Sequence, residues 1–175
     1  MRERNVPVMS NIILIGMPGC GKSTVGVVLA KALGYRFVDS DLLIQEQEGK
    51  LLHEIITEKG IDGFIQVENQ VNSQIKAKNS VIATGGSVVY GREAMEHLRS
   101  IGTVVYLKLS YPSLARRLGD LKDRGVVLKK GQNLDSLFRE RVPLYEKYAH
   151  VTLEEADLDI RETVGKLIGL LKTRQ

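Results

Sequence analysis

A glycine-rich stretch followed by a lysine and two hydroxyl residues stands near the start of the chain. Residues 16–23 read GMPGCGKS and match the pattern G-x-x-x-x-G-K-[ST]. Glycines at these positions let backbone N–H groups face inward around phosphate oxygens. Lys22 is expected to reach the β- and γ-phosphates of a nucleotide, and the Ser23 hydroxyl is expected to ligate magnesium. The nucleotide-binding residues predicted from this stretch are Gly16, Gly19, Cys20, Gly21, Lys22, Ser23 and Thr24.

Two elements must position this loop. Residues 11–15 are an apolar run long enough for a buried strand, and residues 24–33 continue as an amphipathic helix. A helix that starts here would point its positive amino end at the phosphates. The alternative is a glycine-rich turn without a ligand, but the strand before the loop and the helix after it favour the phosphate site.

Two carboxylates follow the second predicted strand, at residues 35–38. Asp39 and Asp41 are two positions apart, so their side chains point to the same side if the extended conformation persists. Beside a phosphate loop, one would hold magnesium through water and the other would orient or deprotonate an acceptor hydroxyl. The alternative is that one of them only caps the helix that begins near residue 42, which is compatible with catalysis by the other.

Apolar strands alternate with helices along the whole chain, which predicts an α/β fold with a parallel sheet covered on both faces. Loops that follow the strands then meet at one edge of the sheet. This rule brings residues 16–23, 39–41 and 85–87 together. The strands are predicted at 11–15, 35–38, 80–84, 102–107 and 150–153. The helices are predicted at 24–33, 42–48, 51–59, 61–78, 92–100, 112–118, 133–148 and 158–171, with Pro143 breaking or kinking the helix that contains it.

Two segments have no helical or strand periodicity. Residues 119–132 are glycine-rich and basic, and we interpret them as a mobile cover over the active site, with a disordered excursion as the alternative. Residues 1–10 are expected to form a flexible tail, and Met9 is an alternative start. The remaining residues, 11–175, are expected to form one domain.

Composition excludes several classes of protein. The content is 43% apolar and 26% charged, as in ordinary globular chains, and no apolar run approaches 18 residues, so we expect a cytoplasmic protein without a membrane partner. One cysteine leaves no internal disulfide. The net charge is +4, but the basic residues are scattered and the aromatic residues are few, so we expect no nucleic-acid partner. We also expect a monomer.

Five stretches, in this order, resemble the shikimate kinases, small relatives of the nucleoside monophosphate kinases. They are GMPGCGKST from residue 16, FVDSD at 37–41, G-x-x-x-F-x-x-x-E at 60–68, TGG at 84–86 and RVPLY at 141–145. The resemblance extends from residue 11 to about residue 171. It implies transfer of the γ-phosphoryl group of ATP to the 3-hydroxyl of shikimate, in aromatic amino acid biosynthesis, with Mg²⁺ as cofactor.

The same resemblance implies an architecture and a set of roles. The fold would be a three-layer P-loop kinase with strand order 2-3-1-4-5, a helical substrate-binding segment at about 42–78 and a lid at about 119–132. On the ATP side, Asp39 would support the metal, Arg124 resembles a lid arginine that closes on the phosphates, and Arg117 or Arg116 resembles one near the adenine.

On the acceptor side, the resemblance implies that Asp41 contacts the acceptor hydroxyl and that Gly85 and Gly86 approach the substrate through their backbone. Arg141 resembles an arginine that pairs with the substrate carboxylate. The expected catalytic residues are therefore Lys22, Asp41 and Arg124.

Four positions depart from the family pattern. Ile65 replaces an arginine that helps hold the carboxylate, Ile61 replaces a glutamate, Ser87 replaces a third glycine, and Gly125 follows the lid arginine where proline is usual. Either a polar group such as Gln66, Arg92 or a lid lysine replaces the missing contact, or the acceptor is another small hydroxylated metabolite. A non-catalytic ATP-binding regulatory protein is a further alternative, but it would not need the aspartates and the lid arginine.

Overall fold

A five-stranded, fully parallel sheet forms the centre of the computed structural model, which describes residues 11–118, 126, 128–155 and 158–174. The strands are β1 (Asn11–Ile15), β2 (Arg36–Asp39), β3 (Ser80–Ala83), β4 (Gly102–Lys108) and β5 (Val151–Glu154). They are ordered β2-β3-β1-β4-β5, which confirms the order implied by the family resemblance. Every residue of β1 and β3 is buried. Because successive side chains in a strand point to opposite faces, layers of helices must cover both faces of the sheet.

The described residues form seven α-helices, which lie between and after these strands along the chain. They are α1 (Lys22–Leu33), α2 (Ser40–Glu48), α3 (Leu52–Ser73), α4 (Arg92–Ile101), α5 (Tyr111–Leu118), α6 (Leu134–Tyr148) and α7 (Ile160–Lys172). A short 3₁₀ helix, Val88–Tyr90, lies between β3 and α4. Helix α1 packs against α7, whereas α3 packs against α4 and α2.

Two helices differ from their predictions. Helix α3 joins the two helices predicted at 51–59 and 61–78 across a kink at Gly60, where φ is 73°, and it ends at Ser73. Helix α6 runs through Pro143, so of the predicted break or kink, the break does not occur. Buried side chains on both sides of the proline, Arg141 and Tyr145, fix the helix to the body of the protein. Tertiary packing therefore outweighs the hydrogen bond that proline cannot donate.

Some predicted features lie outside the described residues. They include the tail at 1–10 and, within the proposed lid, residues 119–125, to which Arg124 belongs. Among the described residues, none of the helices combines the length and apolar character needed to cross a membrane.

Candidate active site

The phosphate loop connects β1 to α1 and is held in shape by its own lysine. Gly21 precedes the helix with φ at 89°, a left-handed conformation that glycine adopts without steric cost. Lys22 is buried, and its Nζ donates hydrogen bonds to the carbonyl oxygens of Gly16 at 2.8 Å and Met17 at 2.9 Å. Cys20 is fully buried under the loop, with its Sγ 3.7 Å from the same Nζ. The lysine side chain thus folds back onto the first two residues of the loop.

Asp39 connects the phosphate loop to the start of α2. Its Oδ2 accepts a hydrogen bond from the Ser23 hydroxyl at 3.3 Å, and its Oδ1 accepts one from the backbone N–H of Asp41 at 2.9 Å. Asp39 therefore caps α2 and also faces the loop, so capping leaves one of its oxygens beside Ser23 for the predicted metal role. The pair fits magnesium, which needs one or two protein oxygens beside phosphate oxygens and water. Within the part of the chain that the structure describes, no cluster of three His, Cys, Asp or Glu side chains could hold a metal unaided.

An open cavity of about 520 Å³ lies beyond the loop, at the carboxyl edge of the sheet. Its walls come from five separate parts of the chain, and they include Lys22, Ser23, Asp41, Glu68, Gly85 and Arg141. Asp41 is half-buried at this wall. Burial raises the pKa of its carboxyl, the nearby Asp39 charge adds to the rise, and Lys22 opposes it. Asp41 therefore holds a proton more strongly than an ordinary aspartate.

The two glycines after β3 allow charged side chains to approach the backbone closely. A Cβ at Gly85 would lie 2.6 Å from Oε2 of Glu68 and 2.9 Å from Oδ1 of Asp41. A Cβ at Gly86 would lie 3.0 Å from Nη1 of Arg141. The glycines thus bring two carboxyl groups and a guanidinium to one wall of the cavity.

We expect Gly85→Ala to lower kcat/KM by about a hundredfold, because the new methyl group displaces Asp41 and Glu68 from their positions. The measurement is steady-state turnover, with thermal unfolding monitored by circular dichroism. Gly165→Ala is the matched control, since a Cβ at Gly165 in α7 meets open space. Equal activity of the two variants would show that Gly85 does not set the geometry of the cavity.

Glu68 and Ser87 form a buried pair that sequence reasoning did not identify. The Ser87 hydroxyl donates to Oε1 of Glu68 at 2.5 Å, whereas Oε2 has no hydrogen-bond partner among the described residues. Burial raises the pKa of Glu68 to about 7, although the Ser87 hydrogen bond opposes the rise. The available signal was the glutamate that ends the stretch at 60–68, three residues after Ile65 on the same helix. Ser87 therefore replaces a family glycine with a partner for this carboxyl.

Helix α6 supports the loop that carries Gly85 and Gly86. Tyr145 donates a hydrogen bond to the carbonyl oxygen of Gly86 at 2.6 Å and stacks on Tyr106, with 5.1 Å between ring centroids. Arg141, one turn earlier, is 1% exposed. Tyr145 therefore both packs in the core and bonds directly to the loop that carries Gly85 and Gly86.

The predicted adenine-side arginines lie on α5. Arg116 and Arg117 are both exposed near the end of this helix, and Arg116 donates to the Ser113 hydroxyl at 3.2 Å. Glu155, which follows β5, is 2% exposed. Burial raises the pKa of Glu155 to about 7, while the charges of Arg117 and Lys22 oppose the rise. A second buried carboxyl, which sequence reasoning missed, therefore lies within electrostatic reach of the phosphate-loop lysine and Arg117.

Comparisons with known proteins show which family this chain resembles. The family model described as shikimate kinase matches residues 18–172. Similar curated proteins include a shikimate kinase of Chlorobium chlorochromatii, 39% identical, with 91% of this chain and 85% of the relative covered. One from Nostoc punctiforme is 40% identical, with 84% and 83% covered. A solved shikimate kinase of Acinetobacter baumannii in complex with shikimate has a TM-score of 0.87 and 33% identity, with 95% of each chain covered.

Proposed function

The chain belongs to the shikimate kinase family, and from this premise we propose that it transfers the γ-phosphoryl group of ATP to the 3-hydroxyl of shikimate, with Mg²⁺ as cofactor. Enzymes of this family are ATP-dependent kinases with an alcohol acceptor, and the reaction serves aromatic amino acid biosynthesis. One observation carries the proposal. A phosphate loop, a half-buried aspartate and a buried arginine line a single cavity, although they come from distant parts of the chain.

On the ATP side, the loop N–H groups and the Lys22 ammonium bind the phosphates and offset the charge that spreads over the transferring group. Ser23 and Asp39 would hold the magnesium ion, which neutralises phosphate charge when it is bound. We assign Arg124 to the same task from the lid, and Arg117 to the adenine end.

On the acceptor side, Asp41 accepts the proton of the attacking hydroxyl. A bond forms between that oxygen and the γ-phosphorus while the bond from the γ-phosphorus to the bridging oxygen of ADP breaks. Arg141 pairs with the substrate carboxylate, and the backbone at Gly85 and Gly86 forms the wall against which the ring lies. The observation that supports these roles is the close approach of Asp41 to Gly85 and of Arg141 to Gly86.

Ile65 favours a second candidate, a kinase for a less anionic alcohol. Of the polar groups that were considered as replacements, Arg92 pairs with Glu96 and its side chain is 79% exposed, so it does not line the cavity. Gln66 is exposed, and Lys129 lies near Glu140, with 3.5 Å between Nζ and Oε1. In the described structure, Arg141 is therefore the cation of the cavity that lies on the acceptor side.

The test is ADP release from MgATP with shikimate, compared with uncharged cyclic alcohols and sugars, followed by ³¹P NMR of the product. Saturable turnover with phosphate on the 3-oxygen is the expected result. Turnover only with uncharged alcohols would overturn shikimate as the acceptor and retain the kinase. ATP hydrolysis with none of these acceptors would overturn both.

We expect Ile65→Arg to lower the KM for shikimate by about tenfold, because a second guanidinium restores a two-armed carboxylate site. Position 65 is half-buried on α3, and Glu68 lies one turn further along the helix, within reach of the new arginine. Gln70→Arg is the matched control, since it adds the same charge at an exposed position of the same helix. A KM that stays constant or rises in the Ile65 variant, or an equal fall in the control, would contradict this prediction.

A further inference from the structure

Tyr90 lies between two residues of α6, the buried Arg141 of the cavity wall and the carboxylate of Glu140. The Nε of Arg141 donates a hydrogen bond to the Tyr90 hydroxyl oxygen at 3.3 Å, and the guanidinium carbon lies 5.3 Å from the centre of the Tyr90 ring. The Tyr90 hydroxyl in turn donates to Oε1 of Glu140 at 2.5 Å. A continuous chain of hydrogen bonds therefore runs from the guanidinium to the carboxylate.

Backbone structure brings Tyr90 to this place. The 3₁₀ helix Val88–Tyr90 starts directly after Ser87, and the N–H of Tyr90 donates to the Ser87 carbonyl oxygen at 3.1 Å. The tyrosine is thus coupled within one turn to the loop that carries Gly85 and Gly86. The 3₁₀ helix also packs against α6, which carries Glu140 and Arg141.

Glu140 is held from a second direction, by the segment before α6. Gln132 donates to Oε2 of Glu140 at 3.1 Å, and Nζ of Lys129 lies 3.5 Å from Oε1 and 5.4 Å from the centre of the Tyr90 ring. Because Glu140 is anchored in this way, the hydroxyl hydrogen of Tyr90 stays directed at the Glu140 carboxylate. The oxygen lone pairs of Tyr90 therefore remain directed at the arginine, and a hydrogen bond to a carboxylate strengthens that acceptor.

The orientation of the Arg141 guanidinium determines whether it can bind a carboxylate. Nε is engaged by Tyr90, and Nη1 is the atom that lies near Gly86, at the wall of the cavity. A planar guanidinium recognises a carboxylate only when its N–H groups are aligned with the carboxylate oxygens. With Ile65 on α3 in place of an arginine, the binding of the carboxylate depends on the alignment of Arg141.

We propose that Tyr90, held by Glu140, is a positioning residue that fixes the plane of the Arg141 guanidinium for the carboxylate of the acceptor. The inference rests on the proposed function, because it takes the acceptor to be anionic. It adds to that function a determinant outside the cavity lining, in a turn that none of the family motifs includes.

The first experiment is the kinetics of Tyr90→Phe, which keeps the ring and removes the oxygen. The KM for shikimate should rise about tenfold, the loss expected for a hydrogen bond to a charged group. The kcat and the KM for ATP should stay within about twofold, because the phosphoryl-transfer groups are untouched. Tyr35→Phe is the matched control, since it removes a hydroxyl before β2, at the end of that strand opposite Asp39. An unchanged KM for shikimate, or equal losses in all three constants, would overturn the proposal.

A second comparison uses shikimate with its carboxylate converted to a carboxamide. If Tyr90 acts through carboxylate recognition, the wild type and Tyr90→Phe should use this analogue equally well. A tenfold difference that persists with the carboxamide would overturn the proposal.

A third measurement needs no substrate and separates failure of this inference from failure of the proposed function. The Nε–H signal of Arg141, assigned in ¹⁵N NMR with Arg141→Lys, should shift and exchange faster with solvent in Tyr90→Phe. An identical signal in both proteins would overturn the positioning role, whichever acceptor the enzyme uses. If the wild type does not turn over shikimate but Tyr90→Phe shows the expected NMR change, only the proposed acceptor would be overturned.

Discussion

Lys22→Ala is expected to lower kcat/KM by about three orders of magnitude. The ammonium group offsets negative charge that increases on the phosphates during transfer. It also donates to the Gly16 and Met17 carbonyl oxygens, so its removal loosens the loop before any nucleotide binds. Because the cavity is open, water can replace the ammonium group as the donor to these two carbonyl oxygens, and the fold should persist.

The measurement for Lys22→Ala is steady-state turnover, together with ATP affinity by calorimetry and thermal unfolding by circular dichroism. Lys31→Ala is the matched control, because Lys31 carries the same charge in the last turn of the same helix and is exposed. Normal turnover by the Lys22 variant would remove the phosphate loop from catalysis. Unfolding of that variant under conditions where the control is folded would assign the lysine a structural role instead.

Asp41→Asn is expected to lower kcat by between about 10² and 10⁴, the range for losing a positioned proton acceptor. The amide keeps the shape of the side chain, so ATP affinity should change little. Asp62→Asn is the control, since Asp62 is an exposed aspartate on α3. Unchanged turnover in the Asp41 variant would show that the acceptor hydroxyl loses its proton elsewhere.

The pH dependence of kcat/KM gives a separate check on Asp41. Its pKa is raised by burial and by the neighbouring Asp39, and a proton acceptor works only when it is deprotonated. Activity should therefore fall as pH decreases through this pKa, at a higher pH than for an ordinary aspartate. The acidic limb should be absent from the residual activity of Asp41→Asn, and its persistence would assign the limb to another group.

The parts of the structure that depend on neighbouring residues were predictable from the sequence. The phosphate loop follows from glycines, a lysine and a serine within eight positions. The strand before the two aspartates was also predictable, but it ends at Asp39, and the extended conformation does not persist to Asp41, which lies in the first turn of α2. The order of the sheet was different, because alternating strands and helices predict parallel pairing without specifying which strand is central. The family resemblance supplied that order, and the structure confirms it.

Partnerships across long sequence separations were not predictable. Ser87 reaches a carboxyl 19 residues away, and Tyr90 reaches a carboxyl 50 residues away. No periodicity in a single stretch encodes such a contact, because it depends on how α3, α6 and the loop after β3 pack together. Pro143 illustrates the converse, since a reliable local signal for a helix break was overridden by side chains buried on both sides of it.

The buried thiol beneath the phosphate loop has a practical consequence for fluorescence work. Cys20 is the only cysteine of the chain, it is fully buried, and burial raises the pKa of its thiol. Maleimide dyes react with the exposed thiolate form, so they should leave this residue unmodified. A cysteine introduced at an exposed position, such as Lys130 or Gln66, can therefore carry a reporter dye in the otherwise native protein. With cysteines at both positions, the distance between the segment before α6 and α3 becomes measurable by energy transfer between two dyes, and Cys20 need not be replaced first.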